Sequence, residues 1–487
     1  MSTEPRERLM AGPAAILAPE LAYVGGRFER DLHVELRADG RIGRVGRRLL
    51  DRSDPVAGAT LIELPRRALL PGFVNAHSHA FQRGLRGLGE SFPAGAGSFW
   101  SWREAMYSLV DRLDPTSLHE LSLRCFREML AAGITTVGEF HYVHRDGDGR
   151  WAAMDDAVLA AARDAGIRIV LLQCAYRTGA IGQPLRGGQV RFDTAGHAEF
   201  LAAFDRLAEA LDPRTQSAAI VAHSVRAVPW EEIIALRAAA RERGTVFHMH
   251  VEEVIPEIED CLEAYGRRPM QMVVDDLEVD STFTAVHCTH TAPSDMARFV
   301  AAGGTVCLCP LTEGNLGDGV HDAPGILARG GRIAFGTDLN SRLCVFEELR
   351  WIEYLHRLVR RERGVLRDAE GVVSPRLLAI ATEHGARALG VEAGRIAEGR
   401  HADLFTVDLD HAELDGADAR SLADALVFGC GNAAIEQVWV DGIERRAAPM
   451  RGSAAAGPPP RETAARLHGR VAGGLSADFA GRKGTLG

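Results

Sequence analysis

No run of about 18 uncharged apolar residues occurs anywhere in this sequence, which excludes a membrane-spanning helix of ordinary length. Residues 1–10 are charged and carry no apolar h-region, so the expectation is a cytoplasmic protein without a secretory leader. Long basic runs are missing too. With 56 basic against 66 acidic residues and a net charge of -10, neither nucleic acid nor an anionic membrane is expected as the main partner, and a small molecule is the default. A disulfide framework is equally absent. The eight cysteines (Cys125, Cys174, Cys261, Cys288, Cys307, Cys309, Cys344 and Cys430) are scattered, mostly through apolar segments, and read as reduced thiols. Only Cys307 and Cys309 are close, and with no second pair following they read as core filler rather than zinc ligands. Nor does a glycine-rich phosphate turn follow any early strand, which counts against an open doubly wound sheet.

What is present suits a large globular protein: 487 residues, 46% hydrophobic and 25% charged, enough for a sizeable core and more than one domain. Eight apolar, β-branched runs recur at 73–79, 134–142, 167–176, 219–226, 245–252, 284–290, 305–311 and 332–338. Segments of helical periodicity separate them, among them 117–132, 154–165, 198–211, 230–243, 255–265 and 293–302. Eight strand-then-helix units predict an α/β fold, a (β/α)8 TIM-like barrel over 71–390. Shorter strand-like runs lie outside it, at 22–24, 32–36 and 61–64 before and at 399–407 and 436–442 after. Residues 1–70 and 391–450 are therefore expected to build one small composite β-sandwich domain from the two termini. Residues 451–487 read as a Gly/Ala/Pro-rich tail with a short helix near 463–471.

Barrels of this kind build active sites at the C-terminal ends of their strands, so polar residues ending apolar runs are the ones to collect. They are His77 and His79, His141 and Tyr142, His223 and Arg226, then His248, His250 and Glu253, His287 and His290, and Asp338. Residues two apart on a strand point to one side, so His77 and His79 converge. Alone, that pair would read as two hydrogen-bonded strand histidines. Histidines ending five of eight runs, with an aspartate ending the last, form a set.

Three neutral imidazoles and a carboxylate suit a catalytic Zn2+ that keeps one position open, and His77, His79, His250 and Asp338 are assigned to it. Water on such an ion loses its proton near neutral pH. Asp338 is expected to accept that proton, His287 to orient the water, and Glu253, three residues past His250, to carry a proton to the leaving group. One ion per subunit is expected, with Fe2+ or another divalent metal as the alternative to zinc. A second would need a bridging anion such as a modified lysine, whereas the fourth run carries His223 and the third ends in Ala175-Tyr176. His248 shares the face of His250 and reads as support for it.

These residues resemble the amidohydrolase superfamily, through Pro71-Gly72, His77-x-His79, the histidines of the fifth and sixth runs and Gly336-Thr337-Asp338. Narrower motifs resemble the formimidoylglutamate deiminases of histidine degradation. They are Ala76-His77-Ser78-His79-Ala80-Phe81-Gln82-Arg83, Phe99-Trp100-Ser101-Trp102-Arg103-Glu104, Glu139-Phe140-His141-Tyr142-Val143-His144 and His223-Ser224-Val225-Arg226, with Thr312-Glu313-Gly314-Asn315-Leu316-Gly317-Asp318-Gly319 and Glu347-Glu348-Leu349-Arg350-Trp351. The resemblance implies a zinc-dependent deiminase that converts N-formimino-L-glutamate to N-formyl-L-glutamate and ammonia, as a homodimer. A dicarboxylate calls for fork-shaped guanidinium groups held away from the metal, and Arg103 and Arg226 are candidates. The resemblance implies that these two, with Gln82, Tyr142 and His223, contact the substrate. The chain departs from the family pattern after Asp338, with Leu339-Asn340, and after His250, with Glu252-Glu253-Val254. The alternatives are a deaminase of an aromatic heterocycle such as guanine, an enzyme for another formimino or guanidino acid, and a non-catalytic metal-binding or assembly protein.

Overall fold

The computed structural model describes residues 13–47, 59–88 and 99–445. The side chains of 13, 14 and 99–104, and all of 446–487 with the helix expected at 463–471, lie outside that description. Five strands come first among the described residues, β1 (Pro13–Val24), β2 (Arg27–Arg30), β3 (Leu32–Arg37), β4 (Ile42–Arg47) and β5 (Thr60–Pro71). Eight shorter ones follow: β6 (Phe73–Ser78), β7 (Ile134–His141), β8 (Arg168–Ala175), β9 (Gln216–Ala222), β10 (Phe247–Val251), β11 (Phe283–His287), β12 (Thr305–Leu308) and β13 (Arg332–Phe335). The last three are β14 (Leu404–Asp408), β15 (Ile435–Val440) and β16 (Ile443–Arg445).

Strands from both ends of the chain join one eight-stranded sheet, in the order β16-β15-β14-β5-β1-β3-β4 with β2 paired to β1. Alternation explains its packing. Leu32, Val34 and Leu36 of β3, two apart, enter a small core with Leu17, Ile42, Leu404 and Trp439. Between Pro71 and Phe73 the chain turns directly into the middle strands through Gly72, where a Cβ would lie 2.0 Å from the Thr135 hydroxyl; only glycine fits there.

β6 to β13 are parallel and almost wholly buried, as expected of strands covered on both faces. They form two four-stranded sheets, β6-β7-β8-β9 and β10-β11-β12-β13, whose edges meet at both ends of the series. The His250 N–H donates to the His223 carbonyl just past β9 at 3.0 Å, and at the other seam Thr337 N–H donates to the His77 carbonyl at 3.0 Å. Helices Pro115–Ala131, Ala153–Ala165, His197–Ala210, Trp230–Glu242, Ile255–Tyr265 and Pro293–Ala301 intervene, within two residues of the sequence expectation. Among the described residues, no helix is long and apolar enough to cross a membrane.

Several strands stop short of their apolar runs. The run at 219–226 is strand only to Ala222, because the Ser224 carbonyl accepts the Ala227 and Val228 N–H groups and turns the chain. The run at 305–311 ends at Leu308, since Pro310 opens the helix Pro310–Leu316. β11 ends at His287, which, like Cys288, takes a positive φ (70° and 54°).

The terminal sheet is fastened to the parallel strands by a buried ion pair. Arg168, at the start of β8, donates to both Asp403 oxygens, Nε at 2.7 Å and Nη2 at 3.1 Å. Asp403 also accepts the Asp441 N–H at 2.8 Å. Burial alone would raise the Asp403 carboxyl, but the Arg168 guanidinium outweighs it and holds the group below the usual carboxylate range. Its stabilising contribution is present above the unfolded value and lost as pH falls through the folded one. Asp403→Ala is expected to cost about 3–5 kcal/mol in urea unfolding at pH 7, through the buried guanidinium left unpaired. That cost should shrink when unfolding is repeated at pH 3 to 4.

Candidate metal centre and pocket

The four residues assigned to a metal converge at the C-terminal ends of the parallel strands. His77 Nε2 lies 3.1 Å from His250 Nε2 and 3.6 Å from Asp338 Oδ1, and His79 Nε2 lies 3.3 Å from the same Asp338 oxygen. One ligand atom from each of His77, His79 and His250 falls within a 4.8 Å span. Hydrogen bonds set the tautomers. His79 Nδ1 is 2.7 Å from the Phe140 carbonyl and His250 Nδ1 is 2.9 Å from the His223 carbonyl, so both carry hydrogen there and turn lone pairs inward. Burial pushes all three imidazoles down, His79 to about 3, which keeps them neutral. Neutral nitrogen lone pairs and a carboxylate aimed at one point fit a divalent cation.

Packing and a hydrogen-bond knot bring β6 and β13 this close. At Gly336 a Cβ would meet His77 Cβ at 2.7 Å and Cys309 Sγ at 2.9 Å. The Asn75 carboxamide donates to Thr337 Oγ1 at 2.6 Å and accepts the Thr337 N–H at 3.0 Å. Thr337 Oγ1 in turn donates to Asn340 Oδ1 at 2.7 Å. The Asn340 amide nitrogen then reaches Ser78 Oγ (3.1 Å), the His79 carbonyl (3.1 Å) and the Asp338 carbonyl (2.9 Å). Asp338 and Asn340 both sit at positive φ, 44° and 55°, a strained path that this network holds in place.

Around the centre stand groups able to move protons. His287 Nε2 is 3.8 Å from both Asp338 Oδ2 and Glu253 Oε1. Burial alone would lower His287, but Glu253, Glu313 and Asp338 outweigh it and raise the ring to about 10. Glu313 Oε1 lies 3.4 Å from His287 Nδ1 and accepts the Cys309 N–H at 3.0 Å. Burial raises Asp338. Glu253 Oε2 accepts from Arg226 Nη2 at 2.6 Å; burial would raise this acid, and the guanidinium brings it below the usual range. Above these groups opens a pocket of about 600 Å³, counted to its mouth. Gln82, Tyr142, His223, Arg226, Glu253 and His287 line it, together with Tyr107, Tyr176, Phe192, Leu316 and Leu339.

Other expected residues fall elsewhere. Arg103 lies on the helix Phe99–Val110, two of whose residues, Met106 and Tyr107, reach the pocket, but its side chain is outside the described residues. His248 points below the centre, with Nε2 2.8 Å from the Ala388 carbonyl. His290 Nε2 is 2.7 Å from the Asp318 carbonyl. His141 packs with His144 against Asp155, whose oxygens also accept from Gln173 Nε2 and Trp151 Nε1 at 2.8 and 3.2 Å. That saturated carboxylate makes the group an anchor for the loop that carries Tyr142 rather than a second metal centre. Cys309 lies beside His287 and Asp338, and burial pushes its thiol well up. The chain's single lysine, Lys483, is outside the described residues, and no lysine ends any of the eight strands. Sequence reasoning missed Asn75, Asn340, Tyr176, Glu257 and Glu313 as parts of the site. Glu313 stood within a quoted motif, whereas Asn340 had been read only as a departure.

Parallel strands bearing a three-histidine, one-aspartate cluster at their C-terminal ends define a metal-dependent hydrolase, and the chain belongs to the amidohydrolase family, whose model matches residues 68–444. The family and the donor set imply a divalent metal. The chain is 39% identical over 436 residues, 88% of its length and 94% of the relative's, to formimidoylglutamate deiminase of Pseudomonas aeruginosa. It is 29% identical over 351 residues, 71% of its length and 72% of the relative's, to 5-methylthioadenosine/S-adenosylhomocysteine deaminase of Desulfovibrio desulfuricans. Its fold is similar to that of an amidohydrolase from Brucella melitensis, with a TM-score of 0.79 and 30% identity over 95% of this chain and 100% of that one. An adenosine deaminase from Xanthomonas campestris with bound zinc shares the fold, with a TM-score of 0.78 and 23% identity over 95% and 99% of the two chains.

His250→Ala is expected to lower bound divalent metal, measured by plasma mass spectrometry after dialysis, at least tenfold, and Asn340→Ala to weaken affinity roughly 10–100-fold by freeing the ligand-bearing strand ends. A second outcome concerns Glu139, whose buried carboxyl accepts the Ala80 N–H at 2.6 Å and is raised by burial to about 8. From the ordinary glutamate value up to about 8 the folded protein keeps a proton that the unfolded chain releases, so stability falls as pH rises. Glu139→Gln should therefore gain on the native protein between pH 5 and 8, by up to about 1.4 kcal/mol per pH unit in urea unfolding.

Proposed function

We propose that the protein is a formimidoylglutamate deiminase, hydrolysing N-formimino-L-glutamate to N-formyl-L-glutamate and ammonia with one zinc ion per subunit, or Fe2+ or another divalent metal in its place. The observation that carries this reading is Arg226, a half-buried guanidinium on the wall of the pocket whose floor is the histidine and aspartate cluster. A carboxylate-bearing amidine fits that pairing of cation and metal centre, and the 39% identical relative bears the same activity in its name. The eight parallel strands act in this reading as one closed (β/α)8 barrel. The terminal strands form a composite β domain on it, divided at about residues 70 and 390. Self-association as a homodimer belongs to the reading too, supported by Trp351, Leu358 and Val359, exposed on one helix.

His77, His79, His250 and Asp338 would hold the metal, which when bound lowers the pKa of a water and polarises the formimino carbon. Asp338, raised by burial, is suited to take a proton. His287, held cationic among three carboxylates, stabilises negative charge developing beside Asp338. Glu253, ionised between Arg226 and His287, is assigned to take a proton from the attacking water and pass it to the departing nitrogen. Gln82 donates to the Tyr142 hydroxyl at 2.7 Å, and with His223, Arg226 and Arg103 they are assigned to contact the substrate, the two arginines at its carboxylates.

The aromatic wall of Tyr107, Tyr142, Tyr176 and Phe192 favours a second reading, deamination of a flat heterocycle. Ammonia release decides between them. With the metal-loaded protein, N-formimino-L-glutamate is expected to exceed guanine and 5-methylthioadenosine in kcat/KM by at least 10³, and the reverse order would establish the second reading. Glu253→Gln is expected to lower kcat on N-formimino-L-glutamate by about 10²–10⁴-fold while leaving metal content intact.

A further inference from the structure

One guanidinium in this pocket is claimed twice over. Arg226 Nη2 donates to Glu253 Oε2 at 2.6 Å, and its Nε lies 3.5 Å from Glu257 Oε2, so the edge formed by these two nitrogens faces two carboxylates. Both carboxylates are buried and the guanidinium is half-buried. A ligand carboxylate laid on Arg226 would be a third acidic group around one cation, an arrangement that burial penalises. One of the two residents must give way. Glu257 is tied to the backbone, its Oε1 accepting the Glu252 N–H at 3.1 Å. Glu253 has somewhere to go: its other oxygen already lies 3.8 Å from His287 Nε2, which stands at the same distance from Asp338.

We propose that the substrate's carboxylate and Glu253 compete for Arg226, so that seating the carboxylate is what frees Glu253 to work at the metal centre. Arg226 then couples recognition at one end of the ligand to proton transfer at the other, and Glu257 is the positioning residue that keeps the guanidinium in the pocket during the exchange. The inference rests on the function proposed above and adds a cause for its selectivity. An amidine lacking a carboxylate enters the pocket but leaves Glu253 locked, and so loses kcat as well as affinity.

Two measurements test this. The first needs no turnover: L-glutamate binding is followed by calorimetry in the native protein, Glu253→Gln, Arg226→Met and the double variant. Removing the competitor is expected to tighten binding about tenfold, and the gain is expected to vanish in the Arg226→Met background; an equal gain in both backgrounds reports general electrostatics and overturns the proposal. The second uses the native protein alone. N-propylformamidine is expected to show a kcat at least 10²-fold below that of N-formimino-L-glutamate, partly restored by added propionate; equal kcat values with only KM changed overturn the proposal. Failure to hydrolyse N-formimino-L-glutamate would remove the functional reading instead, and the binding cycle would still decide whether Glu253 and a carboxylate share Arg226.

Discussion

Two carboxamides and three backbone hydrogen bonds hold the first and last of the parallel strands together. Asn340 reaches Ser78, His79 and Asp338 from its nitrogen and takes a hydrogen bond from Thr337 on its oxygen, while Asn75 grips Thr337 from the other side. The groups it gathers have no attraction of their own. Three neutral imidazoles present lone pairs, Asp338 presents a carboxylate, and without a cation such groups repel. The backbone must therefore hold the ligands in place before any ion arrives, and it does so at the cost of positive φ at Asp338 and Asn340. Gly336 completes the seam by letting His77 lie against the chain.

Each cation in the pocket faces at least two carboxylates, and all of these groups but Arg226 are buried. Arg226 offsets Glu253 and Glu257; His287 offsets Asp338 and Glu313. This explains why proton affinities diverge so widely among neighbours. Glu253, beside a guanidinium, is held low, while Glu257, farther along the same guanidinium, is pushed up by burial to about 7. The same residue type thus serves as an anion in one place and as a group near half protonation four residues on.

Much of this was legible in the residues. A strand's side chains repeat every second position, so a short apolar run ending in His-x-His fixes both where the imidazoles point and which end of the sheet they occupy. Parallel strands buried on both faces read as unbroken apolar runs, which is why all eight could be found, and helix boundaries fell within two residues. The ends of those runs were the weak point. Pro310, the turn at Ser224 and the positive φ of His287 stop strands where hydrophobicity continues, so His290 lay beyond the true end of its strand. His141 misled for another reason: a strand residue can face the helical layer, and Asp155, which claims it, lies on a helix whose approach no local pattern encodes. The role of Asn340 was invisible because it depends on two partners some 260 residues away.

The sheet that joins the two ends of the chain has a bearing on biosynthesis. β5 can pair with β14, and Arg67 with Asp408, only after 341 further residues have been made. Leu69, buried beside Leu404 in the finished sheet, therefore waits as exposed apolar surface while the ribosome completes the middle of the chain. Contacts of such long sequence separation close late and slowly, so the nascent chain spends its most aggregation-prone interval with the parallel strands assembled and the terminal sheet still open.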